Sequence, residues 1–467
     1  MGVIASTTVD LARIQFATTS LYHFLFVPLT LGLAPIVAAM QTIWRRTGND
    51  AWLRLTRFFG TLLVINFAIG VATGLVQEFQ FGMNWSVYSK YVGNVFGAPL
   101  AIEGLAAFFL EATFLGLWIF GWNRLSPRIH LATIWLVTLG TWMSAYFILV
   151  ANSWMQHPVG YKVSGGKAEL TSVWSLLSST FALWAFGHAI LAGLTAASIV
   201  VLGVSCWHLV RGRNHELFIR SAKLALIVAL PISAANLWFG SHFGIYTTET
   251  QPMKIAATEA LWDTQQPAKF SLFQIGGFST SDPTPSFSIE VPRLLSFLAT
   301  GSFNGKVVGI NEEQQKLQRT YGPGNYIPPV EAVYWAMRVM AYFGTLVFLV
   351  AATGSFLYWR GKLERTRWYL WAAVWAIPLP FLAALAGWVL TEVGRQPWIV
   401  YGLLRTADAA SPSVTTAWLA VSLGVFAVLY AALTTIDVVL LRRYSDPDRD
   451  VPSGERGLVE SPAVVTF

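Results

Sequence analysis

FALWAFGHAILAGLTAASIVVLGVSCWHL, residues 181–209, decides the fold. It holds no Asp, Glu, Lys or Arg and is longer than the roughly 20 residues a helix needs to cross a bilayer. Its only ionisable side chains besides a cysteine are His188 and His208. Similar apolar runs recur near 20–44, 58–80, 96–121, 130–150, 222–241, 333–359, 369–392 and 415–441. The 467-residue chain is 55% hydrophobic and 12% charged, with a mean hydropathy of +0.53. A soluble chain carries about 25% charged residues. These observations predict an all-α polytopic membrane protein, with about nine transmembrane helices in one bundle.

The single cysteine, Cys206, excludes an intrachain disulfide and any iron–sulfur or zinc site built from several cysteines. The first 19 residues contain Asp10 and Arg13 and no apolar core, so no cleavable signal peptide is expected. The net charge of +7 says little about nucleic acid, because basic loops have a simpler cause in topology.

Charge sets the expected orientation. Arg45, Arg46, Arg54, Arg57, Arg124 and Arg128 fall on one side of the bundle. So do Arg211, Arg213, Arg220, Lys223, Arg360, Lys362, Arg365 and Arg367, and the tail adds Arg442, Arg443, Arg449 and Arg456. The opposite short segments hold only Arg13, Lys90, Lys162, Lys167, Arg395 and Arg405. The positive-inside rule then places the N-terminus outside and the C-terminus in the cytoplasm.

Four regions follow: transmembrane spans 1–6 over 1–241, an outer loop over 242–332, spans 7–9 over 333–441, and a disordered cytoplasmic tail over 442–467. The loop is rich in Gly, Pro, Ser and Thr, and its residues 252–263 read as a short helix. Loops this long without regular structure are usually functional or disordered. There is no internal repeat of the kind secondary transporters carry.

Position along a span converts to depth at about 1.5 Å per residue. His23 is expected about one turn in from outside, Glu103 and His188 about two turns in, and Glu111 near the midplane. Arg338 and Met340 enter with span 7, and span 8 ends outside at Glu392. Ionisable residues in lipid are costly and mark function by default. His and Met are heme-iron ligands. A lone Met on an apolar helix is ordinarily core filler, and a His near a helix end is ordinarily an interfacial residue. Glu103 and Glu111 are eight residues apart, roughly 80° around a helix, so both can face the interior. The remaining histidines lie at edges or in loops, which excludes the six deep His of a heme–copper oxidase. It also excludes the paired His helices of a quinone-oxidising cytochrome b.

Several stretches together resemble subunit I of the cytochrome bd-type quinol oxidases. They are QFATTSLYHFLFVPLTLG (15–32), GNVFGAPLAIEGLAAFFLEATFLG (93–116), ANSWMQHPVG (151–160), WAMRVM (335–340) and TEVGRQPW (391–398). The likeness runs to about Tyr444, and the outer loop resembles the family's shorter type. It implies that His188 and Met340 are axial ligands of a low-spin heme b, with Arg338 stabilising that heme electrostatically. His23 and Glu392 would each ligate one of two high-spin hemes, a heme b and a heme d. Glu103 would sit at the heme d pocket and Trp388 between hemes. Arg395 and Arg13 would neutralise heme propionates, since arginine suits carboxylates by geometry. In QPMKIAATEALWD (251–263), Lys254 and Glu259 would serve quinol binding and proton release. Without the resemblance they read as a solvated charge pair on a loop helix.

The resemblance further implies a respiratory enzyme of the bacterial cytoplasmic membrane. It would oxidise ubiquinol or menaquinol outside and reduce oxygen to water, building a membrane potential without a pump. Glu111 would relay protons from the cytoplasm. A second polytopic subunit is implied as partner, and in some members a small single-span one. Two rivals are a bd-like oxidase carrying only heme b, and a non-redox transporter using Glu103 and Glu111 for proton coupling.

Overall fold

The computed structural model describes residues 2–446, with side chains from residue 8 onward. The tail expected from 442 therefore falls outside the described residues beyond 446. Among the described residues, nine helical segments are long and apolar enough to cross a membrane, from Thr8–Thr47 to Thr416–Tyr444. The expected bundle of nine is thus present.

Three spans are broken, each for a local reason. Span 1 consists of α1 (Gly2–His23) and α2 (Val27–Thr47). Pro28, in the first turn of α2, has no N–H for the carbonyl of Phe24, so the chain turns tightly between His23 and Phe26. Span 2 is the unbroken α3 (Asp50–Met83). Span 3 runs as α4 (Ser86–Ile102), a π-helical turn at Glu103–Phe108, and α5 (Phe109–Phe120). Such π turns are frequent at functional sites. Span 4 is α6 (Pro127–Gln156), followed by a hairpin of β1 (Tyr161–Ser164) and β2 (Lys167–Leu170). Next come the short α7 (Val173–Leu177), then span 5, α8 (Thr180–Val210), and span 6, α9 (His215–Thr250).

The outer connection is folded rather than irregular. It holds α10 (Pro252–Thr258), an antiparallel pair β3 (Phe270–Gly276) and β4 (Pro285–Val291), α11 (Leu294–Thr300) and α12 (Ile310–Tyr321). The helix expected over 252–263 stops at Thr258, because Ala260 takes a positive φ. Span 7 is α13 (Val330–Trp359). Span 8 is α14 (Arg367–Trp375) and α15 (Leu379–Val393), separated at Pro378 and Pro380. A short hairpin of β5 (Trp398–Val400) and β6 (Leu404–Arg405) precedes span 9, α16 (Thr416–Tyr444).

α2 and α8 are the centre of the bundle. α8 packs on α2, α6, α9, α14 and α15, while α13 packs on α9 and α15. Gly32 of α2 faces Gly193 of α8, and a Cβ on either would run into the other helix's backbone. Small residues let membrane helices approach this closely, where no hydrophobic force between helices is available.

Two of the ligand-type residues lie well along their helices. α1 runs beside α16 in step: Thr8 Oγ1 lies 2.8 Å from Thr416 Oγ1, and the Tyr22 hydroxyl lies 2.8 Å from Thr434 Oγ1. His23 is therefore about four turns along α1 from Thr8, level with the middle of α16. Asp10, Arg13 and the hydroxyl-rich 17–20 lower the hydropathy of a helix that nevertheless continues. Glu103 is likewise about five turns from the start of its span at Ser86.

Candidate functional site

The ligand-type side chains lie on four elements. His188 of α8 is half-buried, and its Nδ1, itself out of reach of solvent, has no hydrogen-bond acceptor in reach. Opposite it α9 carries Gly240, where a Cβ would lie 2.9 Å from His188 Cε1. Met340 of α13 faces Gly387 of α15, where a Cβ would lie 3.0 Å from its Sδ. His23 closes α1 and faces Gly74 of α3, where a Cβ would lie 3.0 Å from its Cε1. His23 Nδ1 pairs with Thr73 Oγ1 at 2.9 Å, which fixes the ring and leaves Nε2 outward. Trp388 stacks on Phe24 with ring centroids 5.1 Å apart, so span 8 meets span 1 next to His23.

Glu392 is held from both sides. Asn152 donates to its Oε1 at 2.8 Å and Arg395 to its Oε2 at 2.5 Å. Arg395 is 4% exposed, yet its Nε and Nη1 find no acceptor. A buried guanidinium with idle donors is costly unless an oxygen-bearing anion completes it.

These features test the fit to heme, the group the resemblance implies. His188, Met340 and His23 are each cleared by a glycine, and Arg395 keeps free donors for a carboxylate. No cluster of three or more His, Cys, Asp or Glu able to hold a bare metal ion occurs among the described residues. Heme brings four ring nitrogens of its own and needs only one or two protein ligands. The donor set fits.

Glu103 and Glu111 face the same neighbour. Ser144 and Thr141, one turn apart on α6, donate to them at 2.6 Å each. The π turn between the two carboxylates underwinds the helix and brings both toward α6.

The two charged residues of α10 are not a solvated pair. Lys254 is 5% and Glu259 6% exposed, and they join different networks. Lys254 Nζ donates to Gln156 Oε1 at 2.7 Å and to the Thr391 carbonyl at 3.2 Å, on the Glu392 side. Burial, and secondly Arg395, push its ammonium down to about 7. Glu259 accepts from Arg338 Nη1 at 3.1 Å and Nη2 at 2.7 Å. Burial raises the Glu259 carboxyl against the pull of Arg338.

Two of the expected arginines have protein partners of their own. Arg338, expected to act on the low-spin heme, is engaged by Glu259 and by the carbonyls of Ser271 and Thr258, with Tyr334 stacked 3.7 Å from its guanidinium. A buried carboxylate needs a cation, and Arg338 supplies it. Arg13, expected at a propionate, is half-exposed and lies 3.6 Å from Asp10. The sequence reading also gave no role to Asn152 and Gln156, although both stand in the quoted 151–160 stretch, nor to Thr73 and the three glycines.

Residues 11–448 match the family model described as cytochrome bd terminal oxidase subunit I. The chain is 46% identical over 435 residues to cytochrome bd ubiquinol oxidase subunit 1 of Bacillus subtilis (strain 168), covering 93% of this chain and 92% of that one. It is 37% identical over 495 residues to cytochrome bd-II ubiquinol oxidase subunit 1 of Escherichia coli (strain K12), covering 94% and 96%. The bd oxidase structure from Geobacillus thermodenitrificans superposes with a TM-score of 0.85 at 28% identity, covering 94% of this chain and 99% of that one. The chain belongs to the cytochrome bd terminal oxidase subunit I family, a family of membrane oxidoreductases.

Proposed function

We propose that this chain is the heme-bearing subunit of a quinol:oxygen oxidoreductase of the bacterial cytoplasmic membrane. In this reading His188 and Met340 hold a low-spin heme b, and His23 and Glu392 each hold one of two high-spin hemes, a heme b and a heme d. Arg395 takes a propionate, and Glu103 lines the oxygen pocket. The observation that carries the reading is the buried, idle Nδ1 of His188, set against Gly240. Relatives named ubiquinol oxidase support a quinol as the reductant. Their naming as subunit 1 supports a second polytopic subunit as partner, with a small single-span subunit as a further component.

Bound heme supplies one-electron carriers and the iron at which oxygen is reduced to water. The protein's own work is with protons and position. A quinol gives up electrons only as its hydroxyl protons leave, so a base must stand at the ring. Lys254, with an ammonium near 7, and Glu259 are the groups on α10 suited to this. Trp388, stacked on Phe24, fills the space between α15 and α1. Glu111 and Glu103 form a carboxylate ladder along span 3, steadied by Thr141 and Ser144. Carboxylate chains are the usual intramembrane proton carriers. The Arg-rich end of the bundle faces the cytoplasm in this reading, so the outer loop faces outside. Electrons delivered from outside and protons drawn from inside separate charge without a pump.

A reduced-minus-oxidised absorbance spectrum of the purified complex, with heme extraction, tests the proposal. Low-spin heme b bands with a far-red chlorin band are expected. Folded protein without heme would refute it.

A further inference from the structure

Four residues converge on the side chain of Gln156, the last residue of α6. It is fully buried, and each of its polar atoms is used. Its Oε1 accepts from Lys254 Nζ at 2.7 Å and from Gln251 Nε2 at 3.2 Å. Its Nε2 donates to the Thr391 carbonyl at 3.3 Å and to Glu392 Oε1 at 3.4 Å. Its backbone carbonyl, otherwise idle at the helix end, accepts from Gln251 Nε2 at 2.5 Å. An ammonium has only donors and a carboxylate only acceptors, so these two neighbours fix which way the amide points. The primary amide of Gln places an acceptor and two donors on one planar group, and Asn would do the same one methylene shorter.

Resting on the proposed reading of Glu392 as a heme ligand and α10 as the quinol segment, we infer that Gln156 is a positioning residue. It couples quinol occupancy at α10 to the Glu392 heme site. Lys254 cannot shift toward a ligand without releasing Gln156 Oε1, and the same amide steadies Glu392 Oε1 beside Asn152. Gly394 sharpens the coupling: a Cβ there would lie 2.9 Å from Lys254 Cγ, so the lysine stem lies directly along the end of α15. Glu259 takes no part, because it is tied to Arg338 on the other side of α10.

The test uses the purified complex with its partner subunits, reduced-minus-oxidised spectra, and steady-state oxidation of a short-chain ubiquinol alongside a menaquinol analogue. Gln156→Met removes every side-chain hydrogen bond at similar length. Gln156→Glu keeps the shape but loses both N–H donors and sets a second carboxylate beside Glu392. Both are expected to shift the high-spin heme bands while leaving the low-spin band in place. Both should also raise the quinol KM by roughly tenfold, the scale of one lost charge-assisted hydrogen bond. Combining Gln156→Met with Lys254→Met should raise KM no further than the worse single variant. A raised KM with unshifted high-spin bands would overturn the coupling, and so would equal loss of all hemes in both variants. Glu392→Ala separates the underlying reading from the inference. If that variant keeps its high-spin bands, Glu392 is not a ligand and both fall. If it loses them while Gln156→Met leaves them unshifted, only the coupling falls.

Discussion

The joint between the outer loop and α13 and the joint between α15 and α6 are each built on a buried arginine, and they are finished differently. Arg338 is 1% exposed and satisfied by protein alone: a bidentate Glu259, the Ser271 and Thr258 carbonyls, and the face of Tyr334. Arg395 is 4% exposed and gives one nitrogen to Glu392, leaving two idle. The first is a closed structural tie between loop and membrane helix. The second is an open receptor for an anion. Histidines divide in the same way. At the opposite end of the bundle, His130 accepts from Gln41 Nε2 and donates to the Trp118 carbonyl, both at 2.8 Å, while Trp118 Nε1 closes the ring on Gln41 Oε1. His188 has no such partner for Nδ1. Among these buried polar groups, incompleteness marks the cofactor site better than residue type does.

The sharpest way to break this contrast is to remove the arginines one at a time. Arg338→Leu strands Glu259 as a buried charge, a loss of about 3–5 kcal/mol for a broken buried pair. Limited proteolysis should then cut the 251–329 segment, and quinol oxidation should fail with it. Arg395→Leu should leave that segment resistant while heme content falls. If both variants lose heme equally and neither exposes the segment, the distinction between tie and receptor is wrong.

The histidines give a smaller, cleaner separation. His188→Ala should abolish the low-spin heme band with little change in the melting temperature of heme-free protein. His130→Ala should keep every heme band but lower thermal stability by about 1–3 kcal/mol, because Gln41 and the Trp118 carbonyl lose their partner in a dry interior. A heme band lost in His130→Ala would contradict the comparison.

Much of this was legible in the sequence, and the rest was hidden for physical reasons. The nine spans follow from apolar length. Ligand-type residues in lipid stand out because they are expensive there. The full length of α1 was not legible, because hydropathy cannot see that the helix continues through Asp10 and Arg13 to pair with α16. Nor was the separation of Lys254 from Glu259: five residues apart on a short helix, they read as one exposed pair, and only the positive φ at Ala260 and the flanking α13 and α15 pull them into different networks. Gln156 is neither charged nor a metal ligand, so nothing in its type announced it. Only its four neighbours do.

Between the two joints stands Lys254, and its titration is the next smaller effect. Burial and Arg395 depress the ammonium to about 7, so the amine is charged below that pH and neutral above it. If the neutral amine accepts a quinol proton, the rate of quinol oxidation should rise up to tenfold per unit as pH increases toward 7 and level off above it. Lys254→Met should lower the rate and remove this limb. A limb that persists in Lys254→Met would assign it to another group.

The smallest effect belongs on the exposed side of the loop. Glu312 accepts from Thr264 at 2.5 Å and from Lys306 at 3.1 Å, and both side chains of the Glu312–Lys306 pair are about half exposed to solvent. It has what Arg395 lacks, a complete set of protein partners, and water is available to replace them. Exposed pairs of this kind contribute little, because solvent screens the charges and ordering two long side chains costs entropy. Glu312→Gln should leave the heme spectrum, quinol KM and melting temperature unchanged. A measurable loss of quinol turnover in that variant would extend the functional site from the buried face of the outer loop to its surface.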